Sequence, residues 1–266
     1  MKIICFVKLV PDVENFKYDY ERNVLVRENV HQILNPEDCS ALSVALKLKQ
    51  ENIDVQVETL TMGPEGCRPH LEDLIKRGVD RSILISDKSY VGSDTYVTSR
   101  IISRYLEREA FDWIFSGTHS IDGGTAHVPS QVAECLNIPQ MGNILRINQA
   151  GLFSDRVRTE VDSEDAVLQF EIERPAILSF QYSTKIKLPY IKYEDLERDV
   201  SGQLEIVSNS RLRFCDTETG IAGSPTKVSQ VEVDSFGRKD TRFLKCDDEG
   251  IEEVYQFLKQ RGIVCS

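Results

Sequence analysis

Apolar and polar positions follow two rhythms in the first half of the chain. Residues 3–7 form a continuous apolar run, which predicts a strand buried on both faces, ended by Lys8, Pro11 and Asp12. Residues 16–27 hold two short alternating runs around Glu21, Arg22 and Asn23, which predicts a hairpin outside the main sheet. Asn35-Pro36-Glu37-Asp38 reads as a helix start: Asn35 caps, Pro36 fits the first position, and the acids suit the positive end of the helix dipole. Ala41, Leu42, Ala45, Leu46 and Leu48 then recur at helical spacing. Residues 55–60 predict a second strand, turning at Thr61-Met62-Gly63-Pro64, and Leu71, Leu74 and Ile75 a helix stopped by Gly78. Residues 82–85 predict a third strand. Val97, Ile101, Ile102 and Tyr105 line the next helix, capped by Ser93 or Asp94. Trp113, Ile114 and Phe115 make a fourth strand. A helix with Pro129 in its first turn and Val132, Ala133 and Leu136 on its packing face follows.

Strand and helix alternating in this way predict an α/β fold: a Rossmann-like parallel sheet with helices on both faces and right-handed connections. After Gln140 the pattern changes. Residues 143–147, 155–160, 166–171 and 176–180 read as four strands of an antiparallel meander. The predicted organisation is an α/β domain with this antiparallel extension over 1–193, then a C-terminal arm over 194–266. The arm is charged and weakly periodic until a final helix near 251–258, too little to bury a core of its own. It therefore lies on the first domain or wraps a partner chain.

In a parallel sheet the ligand lies off the carboxyl ends of the strands. The unusual residues collect there: Lys8 and Pro11, Met62 and Gly63, Gly92 to Thr95, and above all the stretch 117–128. This last loop is polar and glycine-rich, and it exceeds the roughly two to six residues usual between strand and helix. It ends at a helix start, where free N–H groups attract anions. Gly92-Ser93-Asp94-Thr95 is a second phosphate seat if Asp94 is spent as a cap. Neither a GxGxxG nor a Walker A sequence occurs, so a nucleotide site would be assembled from several separate loops.

Charge and cysteine content narrow the classes. A net charge of −11 argues against a nucleic-acid binder and against an anionic membrane surface as partner. No apolar run approaches the roughly 20 residues of a membrane helix, and the first residues read as a strand rather than a signal peptide. Seven widely spaced cysteines without a CxxC pair predict reduced thiols in a cytoplasmic protein, and no metal or iron–sulfur cluster.

The ordered set VKLVPD, NPED, LTMGP, VGSDTYVTS, SGTHSIDGGTAHV, LNIPQ and AGSPTKV resembles the β subunit of an electron-transferring flavoprotein over most of the chain. The resemblance implies a heterodimer with an α subunit that the C-terminal arm embraces, and no activity for the chain alone. It implies nucleotide contacts from Phe6, Asn35, Met62, Ser93, Asp94, Thr95, Gly117, Asp122, Gly124, Thr125, Ala126, His127 and Val128. Asp122 has a competing role, bonding N–H groups of its own loop. Two branches of the family differ in cofactor. One holds AMP, and the chemistry then belongs to the α subunit. The electron-bifurcating branch holds FAD, which exchanges hydride with NAD(H) as substrate and divides electrons between ferredoxin and a second flavin.

Thr125-Ala126 resembles the bifurcating branch, where small residues leave room for an isoalloxazine. Gly124, His127 and Pro129-Ser130 depart from the Asp, Gln and Gly-Pro usual at those places. The resemblance also makes Leu188 the anchor of a loop that docks a flavin dehydrogenase. The following KYEDLERD is acidic where lysines are usual, a departure that makes an FAD-dependent lactate-type dehydrogenase a candidate beside the usual acyl-CoA type. A stand-alone ATP-binding protein on the same fold is a third reading, which the long arm argues against.

Overall fold

The computed structural model describes residues 1–12, 18–19, 24–25, 31–52, 54–163, 165–182, 187–227 and 243–264. In chain order the elements are β1 (Lys2–Phe6), β2 (Leu9–Pro11), β3 (Tyr18–Asp19), β4 (Val24–Leu25), β5 (Gln32–Leu34) and α1 (Pro36–Glu51). Then come β6 (Gln56–Met62), α2 (Arg68–Lys76), β7 (Arg81–Ile85), α3 (Thr95–Leu106), β8 (Trp113–Gly117) and α4 (His127–Leu136). The later part holds β9 (Gln140–Ile147), β10 (Arg156–Asp162), β11 (Val167–Glu173), β12 (Ala176–Phe180), β13 (Leu204–Val207), the one-turn helices α5 (Asn209–Leu212) and α6 (Gly220–Gly223), and α7 (Asp248–Gln260).

Nine strands form one sheet in the order β11-β10-β9-β12-β8-β1-β6-β7-β13. Seven run parallel; only β10 and β11 are antiparallel to their neighbours. The chain moves outward from β1 through β6 to β7, then returns to place β8 on the other side of β1. The strand order therefore reverses between β1 and β8, where α/β sheets form their crevice.

Strand alternation divides the core into two layers. Ile3, Cys5, Val57, Leu84, Trp113, Phe115 and Leu178 pack toward α1 and α2; Ile4, Leu60, Ile83, Ile85, Ile114 and Ile177 pack toward α3 and α4. Trp113 is fully buried, and its indole N–H donates to the Leu152 carbonyl at 3.0 Å, so burial leaves no polar atom stranded. Ser99 of α3 donates to Gln131 of α4 at 3.0 Å, which helps fix the two helix starts side by side.

The parallel sheet, its two helical layers and the antiparallel pair at its edge agree with the expected fold. The hairpin is present as β3 and β4, paired with each other and apart from the main sheet; its turn lies outside the described residues. Among the strands expected from sequence, β12 departs in its place. β12 does not close an antiparallel meander but inserts between β8 and β9, parallel to both. All five of its residues are buried, and a continuous apolar run is what a strand covered on both faces requires.

The chain divides into two compact units, Met1–Lys227 and Val228–Ser266. The first extends past residue 193: β13 pairs with β7 at the sheet edge, and α5 and α6 follow it within the same unit. In the second unit, Asp247 caps α7 by accepting from the Gly250 N–H at 2.9 Å. Ile251, Val254, Tyr255 and Leu258 fall at helical spacing on one side of that helix.

Candidate functional site

A cleft of about 810 Å³ opens at the carboxyl ends of β1, β6, β7 and β8. The first turn of α1 builds its floor. Asp38 takes the Lys8 N–H at 2.9 Å on one oxygen and the Gly117 N–H at 2.9 Å on the other, so a single carboxylate ties the end of β1 to the end of β8. Burial pushes the Asp38 carboxyl up to about 7, against the lowering effect of those two N–H groups and the Asn35 amide. Glu37 accepts from the His119 N–H at 2.7 Å and lies 3.2 Å from its Nδ1. Asn35 donates to the His119 carbonyl at 2.9 Å and accepts from the Ile121 N–H at 3.3 Å.

Asn35 precedes α1 as expected, yet its side chain makes no cap bond and is spent on the loop after β8. The acids expected to serve the helix dipole are spent there too. Glycine at 117 is required by this packing: a Cβ there would lie 2.6 Å from the Glu37 Cβ and 2.9 Å from the Asp38 nitrogen.

Beyond His119 the loop is exposed and held by Lys8. The Lys8 ammonium lies 2.8 Å from Asp122 and donates to the Ser120 hydroxyl at 3.3 Å. Asp122 also accepts from the Gly123 N–H at 2.8 Å. Burial would raise its carboxyl, but the bonds from Lys8 and Ser120 hold it below the usual range. Helix α4 then starts at the cleft. Its cap residue Ala126 sits in the left-handed region at φ 55° and makes no side-chain cap bond. Two N–H groups at the start of α4, those of His127 and Val128, precede a proline that has none.

The opposite wall is the turn 87–95 and the start of α3. Asp94 caps α3 by accepting from the Val97 N–H at 3.0 Å. Its other oxygen accepts from the Thr226 N–H at 2.9 Å and from the Thr226 hydroxyl at 2.6 Å. Partial burial acts to raise Asp94, and these bonds outweigh it, leaving the carboxyl below the usual range. The Asp94 N–H donates to the Ser224 hydroxyl at 2.9 Å, and the Ser93 N–H to the Tyr90 carbonyl at 3.2 Å. Asp87 is likewise held below the usual range by N–H groups of Ser89 and Asn209. Phe6, Leu60, Met62, Ile85 and Ile102 supply the apolar surface between the two walls.

Eleven of the residues expected from sequence border this cleft: Phe6, Asn35, Met62, Ser93, Asp94, Thr95, Gly117, Thr125, Ala126, His127 and Val128. Asp122 and Gly124 do not border it; they shape the loop behind, Gly124 with φ 60° and its N–H on the Ser120 carbonyl at 2.8 Å. Lys8 lines the cleft at the sheet end where the sequence places it; Asp38 and Thr226 are wall residues that sequence reasoning missed. Asp38 enters the sequence reading as a helix-start acid, and Thr226 only within the motif AGSPTKV. The phosphate seat expected at Gly92 to Thr95 finds the N–H groups of Ser93, Asp94 and Val97 already engaged by protein acceptors.

Leu188 is half-buried and packs on the core layer beneath α1 and α2. The neighbouring Pro189 carbonyl accepts from Arg77 at 2.6 Å, and the side chains that stand out are Tyr190 and Tyr193, 87% and 91% exposed. Residues 184–186 of this segment lie outside the described residues. No helix among the described residues is long and apolar enough to cross a membrane.

Residues 22–187 match the family model described as electron transfer flavoprotein domain. The chain is 29% identical over 269 residues to the electron transfer flavoprotein subunit beta of Thermoanaerobacterium thermosaccharolyticum, covering 99% of this chain and 100% of that one. It is 32% identical over 271 residues to the acryloyl-CoA reductase electron transfer subunit gamma of Anaerotignum propionicum, covering 99% and 100%. It is 32% identical over 180 residues to subunit CarD of the caffeyl-CoA reductase-Etf complex of Acetobacterium woodii, covering 67% and 68%. With its cleft at the β1/β8 reversal and the first two of these relatives matched end to end, the chain belongs to the electron transfer flavoprotein family and stands with its β subunits.

Proposed function

We propose that the cleft holds FAD and that the chain works as the NAD(H)-facing β subunit of an electron-bifurcating flavoprotein. The observation that carries this reading is the cleft itself. About 810 Å³ of space with a long apolar lining suits an isoalloxazine joined to a polar tail, within the roughly 300–1,000 Å³ of cofactor sites. A mononucleotide would leave much of that lining unfilled. The small side chains of Thr125 and Ala126 leave the α4 side open for the ring. The α4 start, with no carboxylate capping it, suits the pyrophosphate. Bound FAD would supply hydride exchange with NAD(H) and one-electron delivery to ferredoxin and to a partner flavin.

The protein's own share is placement. Asp38, Glu37 and Asn35 fix the loop after β8, Lys8 holds its outer turn, and Phe6, Met62 and Ile85 exclude water from the ring. Two relatives are named as subunits of acyl-CoA reductase complexes, which supports a chain that works with partners: in this reading, an α subunit gripped by the C-terminal unit, and a flavin dehydrogenase of lactate or acyl-CoA type. The segment around Leu188, presenting Tyr190 and Tyr193, would dock that dehydrogenase. The test is to release and count nucleotides from the purified complex. One FAD attributable to this chain supports the reading. AMP in its place overturns it and leaves a subunit that carries a structural nucleotide.

A further inference from the structure

The α3 side of the cleft carries a polarity that identifies which part of a ligand it takes. This inference rests on the nucleotide reading of the cleft and refines it. The Ser93 and Asp94 N–H groups go to Tyr90 and Ser224, and the Val97 N–H goes to the Asp94 carboxylate. Asp94 also accepts both the N–H and the hydroxyl proton of Thr226. The carboxylate carries a full negative charge next to the cleft, and its bonding capacity is used by the protein. An anionic phosphate oxygen meets repulsion here, and the N–H groups of Ser93, Asp94 and Val97 are already spent on protein acceptors.

Thr226 borders the cleft, and its hydroxyl proton is committed to Asp94 at 2.6 Å. Toward the cleft the Thr226 oxygen therefore presents lone pairs, made more basic by the carboxylate behind it. An oxygen in that state accepts a proton from a ligand hydroxyl. Its position is set firmly. Ser224 is buried and donates to the Gly220 carbonyl at 2.7 Å, and the Gly220 N–H donates to the Ser93 hydroxyl at 3.2 Å. Gly220 lies so close to the 88–92 turn that a Cβ would stand 2.7 Å from the Ser89 carbonyl oxygen.

We infer that Thr226, oriented by Asp94, is a ligand contact that accepts from a sugar or sugar-alcohol hydroxyl, so the α3 side of the cleft is a polyol seat and not a phosphate seat. Two parts of a flavin dinucleotide carry such hydroxyls, the adenosine ribose and the ribityl chain.

The experiment uses the full chain in complex with its partner subunit, stripped of nucleotide, and titrates two ligand pairs by calorimetry: AMP against 2′,3′-dideoxy-AMP, and riboflavin against lumiflavin. In the native protein one pair shows a loss of roughly tenfold on removal of the hydroxyls; which pair does so names the source. Thr226→Val lowers affinity for the hydroxylated member by a similar factor and abolishes the discrimination, and Thr226→Ser restores both. Unchanged discrimination in Thr226→Val overturns the inference while the nucleotide reading stands. So does an equal loss for both members of a pair, which marks a purely structural role. Absence of binding by all four ligands overturns the nucleotide reading, and the inference with it.

Discussion

The Gly117 N–H donates to Asp38 at 2.9 Å, and this bond joins the first turn of α1 to the last residue of β8. The other Asp38 oxygen takes the Lys8 N–H from the end of β1. The two strands between which the sheet order reverses are thus fastened by one side chain at the point where the cleft opens. The cleft floor is set by protein–protein bonds, before any ligand is considered.

That carboxyl makes stability depend on pH. Burial lifts Asp38 from 3.8 to about 7. Between those values the folded chain holds the proton and the unfolded chain does not, so the contribution of Asp38 is largest at low pH and falls as pH rises through 7. Three pKa units correspond to roughly 4 kcal/mol over the whole interval. Asp87, Asp94 and Asp122 are lowered, and their contributions decline only in acid, below the window that Asp38 governs. Denaturant unfolding of the chain from about pH 5 to pH 8 is expected to show falling stability. Asp38→Asn should be less stable at pH 5, for want of one acceptor, and should lose most of the slope. A slope that survives the substitution would place its source elsewhere.

The part of this site written in sequence and the part left unwritten differ for physical reasons. Glycine-rich 117–128, the cap residue Asp94 and the α4 start were legible because turn chemistry and helix ends have local signatures. The clamp at Asn35, Glu37 and Asp38 was not, because the residues that start a helix are the same ones that reach across to a neighbouring strand. Only the fold brings Asp38 near Gly117. Thr226 was hidden for the related reason that its partner Asp94 lies 132 positions away. In the sheet, β10 and β11 alternate and were read correctly. The unbroken apolar AILSF of β12 was the available sign that it lies inside the parallel sheet.

At the opposite end of the sheet, Arg81 holds an ion cluster together. Its guanidinium lies 3.7 Å from Glu58, 3.3 Å from Glu109 and 2.8 Å from Glu205 of β13, and it also bonds the Tyr105 hydroxyl. Glu58 is only 1% exposed; without Arg81 its remaining cation is Lys2 at 3.1 Å. Arg81→Ala is expected to cost about 3 kcal/mol, because it leaves a buried carboxylate short of charge. Adding Glu58→Gln should recover part of that loss. Hydrogen exchange at 204–207 should quicken in the single variant, since β13 is an edge strand held on one side only. A loss below about 0.5 kcal/mol would show that Lys2 alone suffices for Glu58.

Ala126 separates strain from ligand access at the α4 start. Its φ of 55° costs an L-residue about 1–2 kcal/mol, a strain held by the loop that Lys8 and Asn35 fasten. Glycine relieves it and a β-branched side chain worsens it. Ala126→Gly is therefore expected to raise unfolding free energy by up to about 1 kcal/mol, and Ala126→Val to lower it by roughly 2 kcal/mol. Thr125 beside it is exposed and borders the cleft, so Thr125→Trp should leave unfolding unchanged while filling the space proposed for the flavin ring. Denaturant titration and flavin content measured on the same three preparations resolve the two effects. If Thr125→Trp retains its full flavin, the ring does not lie against α4, and the small residues at 125 and 126 serve the turn alone.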